Sequence, residues 1–546
     1  MRFALALGVG VVLATLAGCF GHTNDLPEHV PTTRVPDANA TAPPPPPPAT
    51  PKFVQHLSDG KSVKTTLAVK SFDSHWIPAT VYKPAIANAT VQVPILLHSH
   101  GFGGSRATAD DAFKPYIAAG FGVVSFDERG HGAAQNDSVV EFMNPDYEVR
   151  DVRALVNETA TWDWVAKDAP GDPRLGAIGG SYGGAFQTMG AIFDPRFDAI
   201  VPEITWNDIV DALAPNGAIK SAWVDAFYGD GNAQGTVKFD NSFHEGFAWA
   251  TASNMFPEGQ LPGVPDLATP LHASSPKAYP GKLRIPTLFV QGMPDTLFPL
   301  NHAVANYFEV LATGAPVQLA THLGGHIFNT ASLAPGKSPE DVGLQPPPGG
   351  TPCGNVTALG IAWHEKYLLG LNVSTGPKVC IALDDGTKVE GDGWPLPSTV
   401  PQLFPIGGPL PVSSPTPVAQ GPAGPSVSVT LFTATKDVTV VGIPHITGTL
   451  AASSPDAIVF FSLQVPSRQG LTSIVDSQEM PIRVAGPTTG QPFSVDLGGV
   501  GLKLKAGEQL QLVASTTAPL FAGNAERDPG AVTLDNLKLV LPTLSG

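Results

Sequence analysis

Gly179-Gly180-Ser181-Tyr182-Gly183-Gly184 follows a short apolar run, Leu175 to Ile178, and precedes a helix-like segment, Ala185 to Phe193. A strand, a tight glycine-flanked turn and a helix are the context in which G-x-S-x-G presents a nucleophilic serine. The residues that flank the turn must be small because the turn is tight. The alternative is a glycine-rich structural turn, since the chain contains 58 glycines. The surrounding pattern favours the nucleophile.

The chain from Lys64 to Gln318 alternates between short apolar runs and helix-like segments. Such runs are typical of parallel strands buried on both faces, and their alternation with helices indicates an α/β domain. The predicted strands are 64–70, 77–82, 93–98, 122–127, 175–179, 199–203, 287–291 and 317–320. The predicted helices are 110–119, 148–167, 184–193 and 302–313. A short turn near Asp73 joins the first two strands, which predicts an antiparallel lead-in to the sheet.

Residues 205–282 interrupt this alternation with a high density of aromatic side chains, among them Trp206, Trp223, Phe227 and Tyr228. We predict that this insert forms a mainly helical cap over the site. The alternative is that the aromatic side chains fill the insert's own core. The sequence does not separate the residues that serve one purpose from those that serve the other.

Beyond residue 376 the helical periodicity gives way to alternating segments separated by Gly, Pro and Ser turns. The predicted strands are 426–434, 438–450, 457–465, 493–497, 509–515 and 532–541. This pattern predicts an antiparallel β-sandwich. We therefore predict an α/β catalytic domain over 53–375, with its cap at about 205–282, and a β-sandwich domain over 376–546. The proline-rich stretch 395–425 is the predicted crossing between them.

The first 18 residues have the pattern of a bacterial export signal, with Arg2 before an apolar run and small residues at its end. Leu16-Ala17-Gly18-Cys19 resembles a lipobox, which predicts lipidation of Cys19; the alternative is an ordinary signal peptide. Residues 19–52 are rich in proline and predict a stiff tether, in which Pro43 to Pro48 would extend about 19 Å. The expectation is an exported lipoprotein, anchored to a membrane at the cell surface or in the periplasm.

The formal net charge is −16, and the chain has no basic stripe, so we expect no nucleic-acid partner. Cys353 and Cys380 remain as a pair if Cys19 carries lipid, and in an exported protein we expect them to form a disulfide. The alternative is two unpaired buried thiols. The oligomeric state is left open.

A serine nucleophile needs a histidine base, and the base needs a carboxylate that holds its tautomer. In the α/β-hydrolase order the acid comes next along the chain and the histidine last. Asp295 follows the strand ending at Gln291 and is the predicted acid, with Asp208 or Asp211 as the alternative. His326 follows Gly324 and Gly325 and is the predicted base, with His322 as its competitor.

The oxyanion of the tetrahedral intermediate needs two donors. We predict the amide of Tyr182 and, from the glycine-rich loop after the third strand, the amide of Phe102. His98 and His100 beside that loop have an alternative reading as metal ligands, although no carboxylate cluster lies nearby in the sequence. The segment 127–132 is predicted to be a structural loop shaped by ion pairs.

These motifs together resemble the X-Pro dipeptidyl-peptidase and cocaine-esterase family of serine hydrolases. The matching pieces are the serine motif 179–184, Asp127-Glu128-Arg129-Gly130-His131-Gly132, Asp295, Gly325-His326 and the C-terminal β-domain. The resemblance implies an α/β-hydrolase core with a helical cap and a jelly roll, and Ser181, Asp295 and His326 as nucleophile, acid and base. One departure is the loop 100–104, which resembles the general backbone-donor loop, whereas members close to cocaine esterase use a tyrosine hydroxyl.

The predicted function is therefore hydrolysis of a small-molecule ester or amide, or of a peptide, through an acyl-enzyme on Ser181, with no cofactor. A dipeptidyl peptidase needs a buried carboxylate, usually in the cap, to bind the substrate's free amine. An ester is favoured over an X-Pro peptide because the sequence does not place such a carboxylate at the site. The candidates for that carboxylate are Glu203, Asp208, Asp211 and Asp225. Two alternatives remain: a non-catalytic surface protein that binds carbohydrate or another ligand, and a metal-dependent hydrolase that uses His98 and His100.

Overall fold

The computed structural model describes residues 53–233, 235–259, 262–327, 351–414, 426–468, 478–521 and 530–544. The predicted export signal, the tether 19–52 and the lipidation of Cys19 lie outside the described residues. Within the described ranges, no helix is both long enough and apolar enough to cross a bilayer.

A ten-stranded sheet forms the centre of the α/β part. Its strands in chain order are β1 Ser62–Lys70, β2 Trp76–Pro84, β3 Ile95–His98, β4 Gly122–Phe126, β5 Leu175–Gly180, β6 Phe197–Glu203, β7 Thr287–Gly292, β8 Val317–His322, β9 Val379–Ala382 and β10 Lys388–Gly391. Their spatial order is β1-β2-β4-β3-β5-β6-β7-β8-β9-β10. The strands from β4 to β9 pair in parallel, whereas β1, β2 and β10 are antiparallel to their neighbours. The predicted α/β core with an antiparallel lead-in is thus confirmed.

The helices connect these strands and cover the sheet. Outside the cap they are Lys114–Ala118, Glu148–Thr159, Tyr182–Phe193, Leu300–Ala312 and Val356–Leu368. The helix predicted over 148–167 is wrong beyond Thr159. The chain turns there because the Val93 amide donates to the Trp164 carbonyl and the Ala166 amide donates to the Val93 carbonyl. The segments Lys167–Ala169 and Asp172–Pro173 then form a small antiparallel ladder.

The insert after β6 is mainly helical, as predicted. Its α-helices are Ile209–Leu213, Ser221–Asp225, Gly231–Ala233, Asn241–Ser253 and Ala268–Ala273, with a π-helical turn at Ala226–Asp230. Aromatic side chains from this insert pack against the main core cluster of the α/β part. Several of them also line an apolar cavity within the insert, so the aromatic side chains divide between the main core and the insert's own interior.

The predicted domain boundary at 375/376 is too early. Strands β9 and β10 extend the central sheet, because β9 pairs in parallel with β8. The disulfide between Cys353 and Cys380, with 5.8 Å between the Cα atoms, ties β9 to the segment before the helix Val356–Leu368. The proline-rich stretch is also not a plain crossing, since Thr399–Ile406 and Leu410–Ser414 are strands that pair with Gly530–Leu544.

The C-terminal part consists of antiparallel strands in two sheets that enclose their own apolar core. The strands not yet named are Ser426–Thr433, Val438–Gly442, His445–Ala452, Asp456–Gln464, Met480–Ala485, Thr488–Asp496, Val500–Leu504 and Gln509–Ser515. The sequence prediction missed Met480–Ala485 and Val500–Leu504. It also joined two strands over 438–450, which separate where Gly442 takes a φ of +139°.

Candidate active site

Ser181 lies at the sharp turn between β5 and the helix Tyr182–Phe193, with φ 59° and ψ −119°. A positive φ at a residue with a side chain costs on the order of 1–3 kcal/mol and persists only where its surroundings impose it. One such constraint is the hydrogen bond that the Ser181 amide donates to the Glu203 carbonyl, at 2.9 Å. The turn therefore holds the hydroxyl at the carboxyl end of the sheet, where parallel α/β sheets form their sites.

Glycines on both sides of Ser181 let the loop after β3 approach closely. A Cβ at Gly183 would lie 2.3 Å from the Ser99 carbonyl oxygen, and a Cβ at Gly179 would lie 2.7 Å from the same atom. Gly179 also takes a φ of +142°, which favours glycine. The motif thus has glycines where the loop after β3 touches the turn.

Ser181, His326 and Asp295 form one chain of contacts. The Ser181 hydroxyl lies 2.8 Å from His326 Nε2, and His326 Nδ1 lies 2.7 Å from Asp295 Oδ2. All three residues are buried. A carboxylate at Nδ1 holds the proton on that nitrogen and leaves Nε2 free to accept from the hydroxyl.

The Asp295 carboxylate is itself fixed by backbone donors. Its Oδ1 accepts from the amides of Leu297 and Phe298, at 3.0 and 2.7 Å, and its Oδ2 also accepts from the amide of His326 at 3.1 Å. The residue before the histidine is glycine because its backbone lies against the Asp295 side chain: a Cβ at Gly325 would lie 2.9 Å from the Asp295 Cβ. The orientation of the acid is therefore set before any substrate binds.

The competing acid and base candidates lie elsewhere. Asp208 caps the helix Ile209–Leu213 by accepting from the Val210 amide, and it pairs with His272 at 2.9 Å. His322 lies 3.1 Å from Glu203 and accepts from the Gly324 amide. Asp211 forms an ion pair with Lys277. None of these three contacts Ser181 among the described interactions.

The loop after β3 lies against the nucleophile. A Cβ at Gly101 would lie 3.8 Å from the Ser181 Cβ, and Gly101 begins a turn closed by the Gly104 amide at 3.0 Å. Tyr182 is the first residue of its helix, so its amide has no carbonyl one turn earlier to bond. These positions suit the two predicted donors, and donation to the oxyanion by the amides of Tyr182 and Phe102 stays a prediction.

The two histidines of the metal alternative are engaged by protein groups. His98 Nδ1 lies 2.9 Å from the Ser125 hydroxyl. His100 Nδ1 bonds the Gly101 carbonyl at 2.8 Å, and its Nε2 accepts from the Glu128 amide. In the part of the chain that the structure describes, no three His, Cys, Asp or Glu side chains come together as a metal site.

The loop 127–132 is held by ion pairs. Asp127 accepts from Arg106, and Arg129 donates to both Asp151 and Asp73. Arg129 Nε lies 2.5 Å from Asp151, and its two terminal nitrogens lie within 2.9 Å of Asp73. These contacts agree with a structural role for the loop beside the site.

Two parts of the chain that the sequence did not link to the site contact the acid loop 295–298. Lys220, at the start of the cap helix Ser221–Asp225, donates to the carbonyls of Thr296 and Leu297, both at 3.0 Å. Gln478, from the C-terminal part, donates to the carbonyls of Met293 and Asp295 at 2.9 and 3.3 Å. No motif signals either residue, because each acts only through long-range contacts.

Lys220 is fully buried, and burial lowers the pKa of its ammonium to about 7, although the nearby Asp295 carboxylate opposes this shift. A second cap residue supports the same loop, since Trp223 Nε1 donates to the Thr296 hydroxyl at 3.2 Å. The Thr296 hydroxyl in turn donates to the His326 carbonyl at 2.8 Å. The cap thus braces the loops that carry both the acid and the base.

The sequence and the fold of the chain are similar to those of known proteins. Residues 73–328 match the X-Pro dipeptidyl-peptidase (S15) family. The match confirms the resemblance that the motifs predicted and, together with the fold, indicates a hydrolase. No curated protein matches the chain.

Three solved structures share the fold over nearly the whole chain. A CocE/NonD family hydrolase from Staphylococcus aureus has a TM-score of 0.61 at 12% identity, covering 92% of this chain and 100% of its own. An aminopeptidase from a marine sediment archaeon, Thaumarchaeota archaeon, has a TM-score of 0.63 at 14% identity, covering 91% and 98%. An α-amino acid ester hydrolase has a TM-score of 0.60 at 14% identity, covering 92% and 100%. At these identities the likeness concerns the fold alone.

Proposed function

We propose that the protein is a serine hydrolase that cleaves acyl bonds, with esters preferred. Ser181 attacks the substrate carbonyl while His326 Nε2 takes the hydroxyl proton, and Asp295 stabilises the imidazolium. The amides of Tyr182 and Phe102 donate to the oxyanion. His326 then protonates the leaving group, and water releases the acyl group from Ser181 by the reverse sequence.

The observation that carries this proposal is the continuous chain of contacts from Ser181 Oγ to Asp295 Oδ2, with both links below 3 Å. The strained backbone of Ser181 supports it, because strain of this kind clusters at functional sites. A binding protein on a dead scaffold has no need of either feature.

Labelling with a fluorophosphonate tests the proposal directly. We expect the probe to modify Ser181 in the wild type and to leave Ser181→Ala unmodified. In Ser181→Ala, turnover of p-nitrophenyl acetate should fall by up to about a millionfold, towards the residual rate that substrate binding supports without the nucleophile. Normal turnover by that variant would refute the mechanism. A wild type that neither reacts with the probe nor turns over any ester would favour the ligand-binding alternative.

We further propose that Cys19 carries a lipid that anchors the protein to a membrane through the proline-rich tether. Detergent phase partitioning of the full chain expressed in bacteria tests this. The wild type should enter the detergent phase, whereas Cys19→Ala should remain in the aqueous phase. Equal partitioning of the two would contradict the anchor.

A further inference from the structure

Side chains of the cap, together with Phe142, line a half-open apolar cavity of about 80 Å³, which we call the cap cavity. Its lining includes Phe142, Val224, Phe227, Phe243, Phe247 and Ala250. Every lining residue is apolar except Tyr228, whose hydroxyl is already bonded to His244 Nδ1 at 2.6 Å. A water needs two to four polar partners in a buried site, so this cavity suits hydrocarbon rather than water.

The cap cavity lies one layer of rings from the nucleophile and its base. On one side, Phe142 and Phe227 contact the ring of Phe102, with centroids 5.4 and 5.1 Å apart. Phe102 belongs to the loop that touches Ser181. On the other side, Phe227 lies 5.6 Å from Trp223, whose ring is 5.9 Å from that of His326.

The cavity lining carries no charge, and the carboxylates that an amine-binding site would need are placed elsewhere. Glu203 lies against His322, and both Asp208 and Asp211 pair with Lys277. Asp225, on the helix Ser221–Asp225, does not line the cavity either. An ammonium group placed in the cap cavity would lose its hydration without gaining a partner.

We propose that the cap cavity receives the hydrocarbon part of the ester whose carbonyl is attacked by Ser181. The inference rests on the proposed function and names its substrate class: esters whose uncharged, unbranched alkyl chain is long enough to pass the layer of rings and enter the cap cavity. The chemistry is the same whether the alkyl group is on the acyl or the alcohol side, so the experiment varies the two sides separately.

The size of the cavity sets the expected profile. Burying one methylene contributes about 0.8 kcal/mol, which corresponds to about fourfold in kcat/KM. The cap cavity has a volume of only about 80 Å³, so it holds a short stretch of alkyl chain. Because one layer of rings separates the cavity from Ser181, we expect kcat/KM to change little for the shortest chains, to rise about fourfold per methylene once the chain reaches the cavity, and then to level off.

The test measures kcat/KM for p-nitrophenyl esters from acetate to octanoate, and for alkyl acetates of matching length. A rise in either series supports the inference, and flat profiles in both series from an active enzyme overturn it. A 6-aminohexanoyl p-nitrophenyl ester, which would carry an ammonium at the far end of its chain, turned over faster than the hexanoyl ester would also overturn it. Failure of the proposed function looks different: no ester is turned over and Ser181 is not labelled.

A pair of variants on one helix assigns the profile to this cavity. Ala250→Leu places about three extra carbons in the cap cavity and should abolish the chain-length gain. Ala248→Leu, on the exposed side of the same helix Asn241–Ser253, should keep the wild-type profile. An unaltered profile in a folded Ala250→Leu variant would overturn the inference, and if that variant does not fold, the wild-type profiles decide it alone.

Discussion

Replacing Lys220 with methionine should change how stability depends on pH. The Lys220 ammonium is buried and donates to the carbonyls of Thr296 and Leu297, and its burial lowers its pKa to about 7. In the unfolded chain a lysine has a pKa of about 10.4. Between these two values the unfolded chain binds more protons than the folded one, so stability rises with pH.

The magnitude follows from the same shift. A difference of about three pKa units corresponds to on the order of 4 kcal/mol. Below pH 7 the buried Lys220 is protonated, and the free energy of unfolding is lowered by this full amount. The penalty fades between pH 7 and about 10.4 and is absent above that range. Lys220→Met removes this dependence and also removes one hydrogen bond from each of two carbonyls, a loss of about 1 kcal/mol apiece.

Denaturant unfolding at pH 7, 8, 9 and 10 measures the effect. The wild type should gain stability over this range relative to Lys220→Met, because groups other than Lys220 titrate equally in both proteins. Lys282→Met, at an exposed position in the same insert, is the matched control and should follow the wild type. If the free energies of unfolding of the wild type and Lys220→Met changed in parallel with pH, the assignment of a buried Lys220 with a lowered pKa would be refuted.

Three further changes have definite expectations. Gly183→Ala should abolish activity because its Cβ would lie 2.3 Å from the Ser99 carbonyl oxygen, whereas Gly180→Ala, with 3.7 Å to its nearest neighbour, should retain activity in the same ester assay. Asp295→Asn should lower kcat by on the order of 10⁴ with intact folding by circular dichroism, since an amide cannot hold the required tautomer of His326; a loss below tenfold would contradict that role. Cys353→Ser opens a disulfide with a sequence separation of 27 and should lower the free energy of unfolding by about 3.5 kcal/mol, and an unchanged denaturation midpoint would contradict this.

The sequence predicted the central strands well because their signal is local. Strands β5 to β8 are short buried runs between helices, and their predicted starts and ends lie within two residues of those in the structure. The residues nominated as nucleophile, acid and base follow three of those strands, and the structure brings their side chains together. Position at a strand's carboxyl end was the information that mattered.

The errors arose where long-range pairing decides the structure. Strand β9 carries four apolar residues like many C-terminal segments, and only its contact with β8 assigns it to the α/β sheet. The segment after Thr159 is helix-like in composition, but its backbone pairs with residue 93. Lys220 and Gln478 were missed for the same reason: no local sequence pattern around either residue indicates its contact with the acid loop.

These long-range contacts suggest why the C-terminal part belongs to the catalytic unit. Gln478 holds the loop carrying Asp295, and Asn301, just after that loop, bonds the Leu497 carbonyl and the Gly499 amide at 3.0 and 2.9 Å. Arg483 reaches the cap through the carbonyls of Gly217 and Asn254. The acid loop is therefore braced by the cap through Lys220 and by the C-terminal part through Gln478. Since the Ser181 turn is strained and the alignment with His326 depends on Asp295, rigidity supplied from both sides is what keeps the three side chains in register.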